Sequence, residues 1–142
     1  MVILLSIKPQ YTKKIFSGEK KFEFRKQKPK FPPTIIYIYE SYPTKLIVGK
    51  FIVKRILSDT PQNIWEKCKD HGGINKDEFF KYCDKKELIF AYEIGKIIKF
   101  SNPVDPMTYD SGFKAPQDFI YYRCPPPYTE FEEQKVIEDV EL

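Results

Sequence analysis

The sequence predicts an α+β fold, a small β-barrel of about six strands with short peripheral helices. Three observations predict it. Apolar, β-branched runs of strand length recur from residues 2–7 to 116–122. The two longest, residues 46–57 and 88–100, each contain one glycine, Gly49 and Gly95, where a strand can bend to close a barrel. Helical stretches do not alternate regularly with strands, which excludes a doubly wound parallel sheet.

Residues 2–7 are a strand. The next segment, Pro9 to Gly18, has a proline suited to the first helical position and a glycine suited to a left-handed stop. Tyr11, Ile15 and Phe16 share one face and Lys13 and Lys14 point away, which predicts a short amphipathic helix. In residues 20–26, Phe22 and Phe24 fall on one face of a strand and Lys21, Glu23 and Arg25 on the other. Residues 27–33 hold three prolines and form a stiff loop. Residues 34–40 form a strand, 41–45 a turn at Pro43, and 46–57 a long strand.

A helical insert spans about residues 59–84. Asp59-Thr60-Pro61 starts its first helix, with Ile64, Trp65 and Cys68 inward, and His71-Gly72-Gly73 stops it. Asn75 caps a second. Residues 88–100 return to strand, the prolines at 103 and 106 mark a loop, and 116–122 form the last strand. Residues 1–124 are thus expected to form one domain, and 125–142 an acidic tail or terminal helix.

Bulk properties narrow the function classes. With 42% hydrophobic and 31% charged residues the chain has an ordinary globular composition, not a disordered one. The net charge is only +4, but it is unevenly placed. Residues 1–30 hold eight Lys and one Arg against Glu19 and Glu23, a balance of +7, and a basic segment attracts polyanions. Residues 130–142 carry six acids against Lys135. Aromatics reach 16%, enough to fill a core and also to offer stacking surfaces.

Cys68, Cys83 and Cys124 are an odd, widely spaced set without a C-x-x-C pair. They read as reduced thiols of a cytoplasmic protein rather than a disulfide framework. His71 is the single histidine, so no zinc site is expected, and no other metal or cofactor is called for. No apolar run approaches the roughly 20 residues that span a bilayer. Residues 1–8 are too short and wrongly flanked for a signal peptide.

The motif that carries most information is Gly18, Lys20, Glu23, Arg25. It follows a strand and a short helix and reads G-x-K-x-x-E-x-R. This arrangement resembles the signature of the ASCH family, with every defining position filled. Residues 38–41 and 47–51 resemble the family's second and third strands, 64–67 its variable helical insert, 91–94 the strand after it and 115–119 the last strand. The likeness runs from about residue 3 to 122.

The resemblance implies a PUA-like mixed β-barrel with a cleft beside the first helix. It implies RNA or a nucleotide-like ligand as partner, with some members acting on RNA or on modified nucleosides. Lys20, Glu23 and Arg25 are expected to meet in the cleft. Strand alternation places Glu23 and Arg25 on one face, and places Lys20 with Phe22 and Phe24 unless the turn re-aims it. Arg25 offers a planar fork to a phosphate or base edge. A plain ion pair between Glu23 and Arg25 that fixes the barrel is the structural alternative. Lys8, Lys13 and Lys14 are further candidates for RNA contact. Tyr39 and Tyr121, on strands resembling those that wall the family's cleft, are candidates for stacking. Trp65 reads as core of the insert and His71 as a helix-end residue.

Two function classes stay open beside a less favoured protein-interaction role. One is a binding module. The other is a hydrolase, in which Glu23 serves as base and Lys20 and Arg25 stabilise charge during RNA cleavage. One branch of the family resembles an amidohydrolase that deacylates a modified cytidine with a Lys, a Thr and an insert acid. Here Lys20 is kept, Glu23 stands at the Thr position, and the insert offers Glu66 and Asp70. A carboxylate cannot take a hydroxyl's part unchanged. Oligomeric state is open.

Overall fold

The computed structural model describes residues 1–121 and the backbone of residues 134–137. Seven strands are β1 (Val2–Ile7), β2 (Phe22–Arg25), β3 (Ile35–Glu40), β4 (Leu46–Asp59), β5 (Ile89–Val104), β6 (Phe119–Tyr121) and β7 (Gln134–Ile137). Three α-helices are α1 (Pro9–Ser17), α2 (Pro61–Cys68) and α3 (Lys76–Cys83). The strand order is β2-β5-β4-β3-β1-β6, with β7 also on β5. β1 runs parallel to β3 and all other pairs are antiparallel, so the sheet is mixed. The expected α+β class therefore holds, with six strands on the main path and β7 added.

Curling comes from the two long central strands. Their ladder shifts register between Ile47 and Gly49, Phe51 and Val53, and Val53 and Arg55. Each shift bends and twists the pair. Gly49 is needed for close approach: a Cβ there would lie 2.5 Å from the Ile98 carbonyl oxygen and 3.0 Å from the Phe16 ring. That ring belongs to α1, so Gly49 lets the helix sit down on the sheet. Thr12 and Thr44 both donate hydroxyl hydrogen bonds to the Glu40 carboxylate, anchoring α1 to the end of β3.

Three apolar clusters hold the layers. Inside the curl, Ile3, Leu5, Ile36, Phe51 and Tyr92 pack with Ile15 of α1. Outside β2 and β5, Phe24, Ile89 and Ala91 pack with Ile64, Trp65 and Phe79 of the insert. Phe79 is fully buried, and its ring meets Phe24 edge-on at 5.0 Å and Trp65 at 5.3 Å. Burying one such side chain stabilises by about 1.5–3 kcal/mol. On a third face, Leu4, Tyr37, Tyr39, Ile47 and Phe100 pack together.

The insert follows its caps. Thr60 accepts from the Asn63 amide, and Asn75 from the Glu78 amide. β2 is shorter than the stretch 20–26 read as a strand, and other boundaries differ as well. β4 runs two residues further, to Asp59. β5 continues through Asn102-Pro103 to Val104 because Pro103 falls where the ladder to β4 is interrupted, so no strand bond is lost. β6 starts at Phe119 rather than residue 116. Residues 134–137 return to the sheet as β7, where the sequence suggested a tail or helix. The rest of 125–142 lies outside the described residues, as does Cys124. Among the described residues no helix is long and apolar enough to cross a membrane.

Candidate functional site

The site begins with how α1 ends. Gly18 adopts φ 85° and returns its N–H to Ile15, and Lys20 then bonds its own N–H to the Lys14 carbonyl at 3.0 Å. This tight exit delivers Lys20 to the mouth of the barrel, immediately before β2. On β2, Glu23 lies opposite Tyr92 and Arg25 opposite Phe90, both facing the inside of the curl. Phe24, opposite Ala91, faces the insert.

Lys20, Glu23 and Arg25 do converge. They are 2%, 5% and 9% exposed, unusual burial for charged residues. The Lys20 ammonium sits over the Phe24 ring, 4.7 Å from its centroid, as strand alternation requires. Its long stem carries it on to 3.9 Å from Glu23 Oε1. It donates to the Gly72 carbonyl at 2.6 Å. Arg25 Nη2 lies 3.8 Å from Glu23 Oε2 and donates to the Ser6 carbonyl at 3.1 Å, while Nη1 reaches Asp118 Oδ1 at 3.4 Å.

The electrostatics follow from burial. Desolvation holds Lys20 below the ordinary ammonium range, against the opposing pull of Glu23. Asp118 is raised above the ordinary carboxyl range by burial, although Arg25 pulls it down. Burial also pushes the Tyr82 phenol up to about 12 and raises Tyr92. Glu23 Oε1 accepts from the Phe24 N–H at 3.2 Å. Three buried polar atoms have no hydrogen-bond partner among the described residues: Glu23 Oε2, Arg25 Nε and the Tyr92 hydroxyl. Such atoms are costly to leave unpaired.

These groups floor a cleft of about 530 Å³. One wall is Ser6, Lys8, Gln10 and Tyr11, from β1 and α1. The other is Ile74, Glu78, Lys81 and Tyr82, from the insert. Tyr11 donates to Glu78 at 3.3 Å across the gap.

Other sequence candidates are placed differently. Lys8 lines the rim of the cleft and is exposed. Lys13 and Lys14 are on α1 but do not line it, and Lys14 donates to the Gly73 carbonyl at 3.1 Å. Tyr39 is not in the cleft. It lies opposite Ser6 on β3, and its ring is buried in the third cluster against Phe113. Tyr121 is also elsewhere: it pairs with Ile3 and accepts from the Phe31 N–H. The aromatic walls are Tyr11, Phe24 and Tyr82 instead. Of the insert acids, Glu66 and Asp70 are exposed and do not line the cleft, whereas Glu78 does. Asp118 and Gln117 were missed as site residues. They lie just before β6, in the stretch matched to the last strand, and only the contact to Arg25 reveals Asp118.

The family model described as "Domain of unknown function (DUF365)" matches residues 2–110. The chain belongs to the DUF365 family. Its structure is similar to that of the ASCH protein of Zymomonas mobilis, with a TM-score of 0.81 at 20% identity over 94% of this chain and 96% of that one. A serine-to-alanine variant of the same protein gives a TM-score of 0.77 at 22% identity over 86% and 88%. The fold of this DUF365 chain is therefore that of ASCH, PUA-like domains, as the motif implied.

Among curated proteins, an "ASCH domain-containing ribonuclease" of Zymomonas mobilis is 23% identical over 84% of this chain and 83% of its own length. "Large ribosomal subunit protein uL22" of Ureaplasma parvum is 29% identical over 85% of the chain. "ATP synthase subunit alpha" of the same organism is 25% identical over 85%. The DUF365 chain spans only 39% and 15% of the length of these last two.

Proposed function

We propose that this protein binds single-stranded RNA, or a nucleotide-like ligand, in the cleft between β2, α1 and the insert. Lys20, Glu23 and Arg25 are its floor contacts. The observation that carries this reading is the convergence of three charged, almost fully buried side chains on the lining of a roomy cleft. A purely structural ion pair would close on itself, but Lys20 and Arg25 stand 3.9 and 3.8 Å from Glu23, beyond direct hydrogen bonds. Tyr11 and Tyr82 line the cleft and supply ring faces for a base. Lys8 and Lys81 at the rim attract phosphates, and Lys13 and Lys14 extend the positive field. In this reading the domain, with β7 as part of its sheet, acts in the cytoplasm where the thiols stay reduced.

A second reading is cleavage of the bound RNA. It is favoured by two opposed shifts in one cluster, Lys20 lowered and Asp118 raised, and by a relative named as a ribonuclease. Glu23 then accepts the proton of the attacking 2′-hydroxyl. Arg25 and Lys20 stabilise the charged phosphorane. Asp118, when protonated, hands a proton to the departing 5′-oxygen.

One experiment tests both. Binding and cleavage of a single-stranded RNA are measured on wild type, Arg25→Ala and Glu23→Gln. Binding at the cleft predicts that Arg25→Ala loses affinity by about 1–3 kcal/mol. Cleavage predicts in addition that Glu23→Gln loses turnover by roughly 10²–10⁴-fold with binding nearly kept. Unchanged affinity in a folded Arg25→Ala protein contradicts the binding site.

A further inference from the structure

We infer that Tyr11 and Glu78 form a side-chain gate across the mouth of the cleft, which a ligand opens by turning Glu78 away from Tyr11. The inference rests on the RNA-binding function proposed above and adds how the ligand gains entry. The Tyr11 hydroxyl donates to Glu78 Oε2 at 3.3 Å. The two residues line opposite walls, Tyr11 on α1 and Glu78 on α3. Both are accessible, Tyr11 half-buried and Glu78 exposed. Burial first, and Glu78 second, hold the Tyr11 phenol above its ordinary value, so it keeps the proton that it donates.

The walls themselves are fixed. Three successive carbonyls in the turn that leads into α3 are held from the segment joining α1 to β2. His71 accepts from the Lys21 N–H at 2.7 Å, Gly72 from the Lys20 ammonium at 2.6 Å and Gly73 from the Lys14 ammonium at 3.1 Å. Phe79, next to Glu78, is fully buried against Phe24 and Trp65. On the other wall, Ile15 is fully buried and Thr12 is bonded to Glu40. Moving either backbone would break these contacts, whereas rotating the exposed Glu78 side chain breaks one hydrogen bond.

Glu78 has a second position available on its own helix. Asn75 caps α3, its side chain accepting from the Glu78 N–H at 2.8 Å. Glu78 thus stands three residues after the cap, the spacing of a capping box, in which the carboxylate turns back to the N–H of the cap residue. There it also meets the positive end of the helix dipole. In the closed gate the same carboxylate reaches Tyr11 instead. Opening exchanges one hydrogen bond for another, and it draws a negative charge out of the path of a polyanion attracted by Lys8 and Lys81.

The test is a double-mutant cycle of Glu78→Ala and Tyr11→Phe, which keeps the ring and removes the hydroxyl. Stopped-flow association of a fluorescent single-stranded RNA is measured on wild type, both single variants and the double variant. Tyr11→Phe should raise the association rate by roughly two- to tenfold, the weight of one hydrogen bond, with the dissociation rate kept. The double variant should associate no faster than Glu78→Ala alone. Slower association or faster dissociation in Tyr11→Phe would make the hydroxyl a ligand contact and overturn the gate, as would an unchanged rate. Urea unfolding of the same four proteins tests the closed state without RNA. The two substitutions should couple by about twofold or more in the unfolding constant. Additive effects overturn the gate whether or not RNA binds. Coupled effects with no RNA binding by any of the four proteins leave the closed contact standing but overturn the RNA-binding function, and with it the gate's part in entry.

Discussion

Arg25 and Asp118 meet with Nη1 3.4 Å from Oδ1, and this contact joins the two ends of the strand order. Arg25 closes β2, and Asp118 directly precedes β6. Among the described residues no backbone ladder joins β2 to β6. Arg25 also holds the Ser6 carbonyl of β1, so one guanidinium ties three segments across the open side of the barrel. The residue proposed to meet the ligand is thus also the one that closes the seam.

Arg25→Ala should therefore cost stability as well as affinity. It leaves Asp118 without its cation and Glu23 with Lys20 alone, and breaking such a buried set costs about 3 kcal/mol or more. Arg25→Lys keeps the charge but not the fork, and should recover only part of the loss. Urea unfolding of the three proteins checks this. Equal midpoints would mean the seam is held elsewhere.

Asp118 gives the barrel a specific pH dependence. Burial raises its folded-state value above the ordinary 3.8. The folded protein therefore binds this proton more tightly than the unfolded chain does. The resulting stabilisation is complete below the unfolded value and is lost as pH rises through the folded one. Asp118→Asn removes the titration. Its stability should decline less than that of wild type as pH rises from 3.8. Thermal melts across that range read the difference directly.

Gly73 is the point where the insert presses on the site. It sits at φ +66°, and a Cβ there would lie 2.7 Å from the Cβ of Lys20. Gly73→Ala must strain the backbone or push Lys20 aside. The left-handed conformation alone costs about 1–2 kcal/mol in a residue with a Cβ. A lower melting temperature together with weaker RNA binding is expected. A loss of stability with binding intact would show that Lys20 is not a ligand contact.

Much of this was legible in the sequence because it is local. The helix between Pro9 and Gly18 follows from a proline start and a glycine stop, and Glu23 and Arg25 share a face because strands alternate. Asn75 and Thr60 announce the insert's helices by their side-chain oxygens. What could not be read is long-range. Asp118 is 93 residues from Arg25, and nothing in its neighbourhood marks it. Tyr39 is a stacking candidate in the sequence because its strand resembles one that walls the family's cleft. The register of β3 against β1 sends it to the face covered by Phe113. The end of β5 was hidden by Pro103, which usually stops a strand but is tolerated where the ladder is already broken.

The basic N-terminal third makes a separate prediction. Lys8 lines the cleft, Lys13 is exposed on α1, and Lys14 is tied to Gly73. Changing all three to Gln should weaken RNA binding at low salt and flatten its dependence on salt concentration, since each released counterion contributes to that slope. Fluorescence anisotropy at several salt concentrations measures both. An unchanged slope would place the polyanion on another surface.

The central claim, that RNA is held in the cleft between β2, α1 and the insert, is tested most directly by amide chemical-shift mapping during titration with a short single-stranded RNA. The largest shifts should cluster at residues 6–11, 20–25, 72–82 and 117–118. Shifts confined to the β3–β4 face around Tyr37 and Lys50, or none at all, would contradict it.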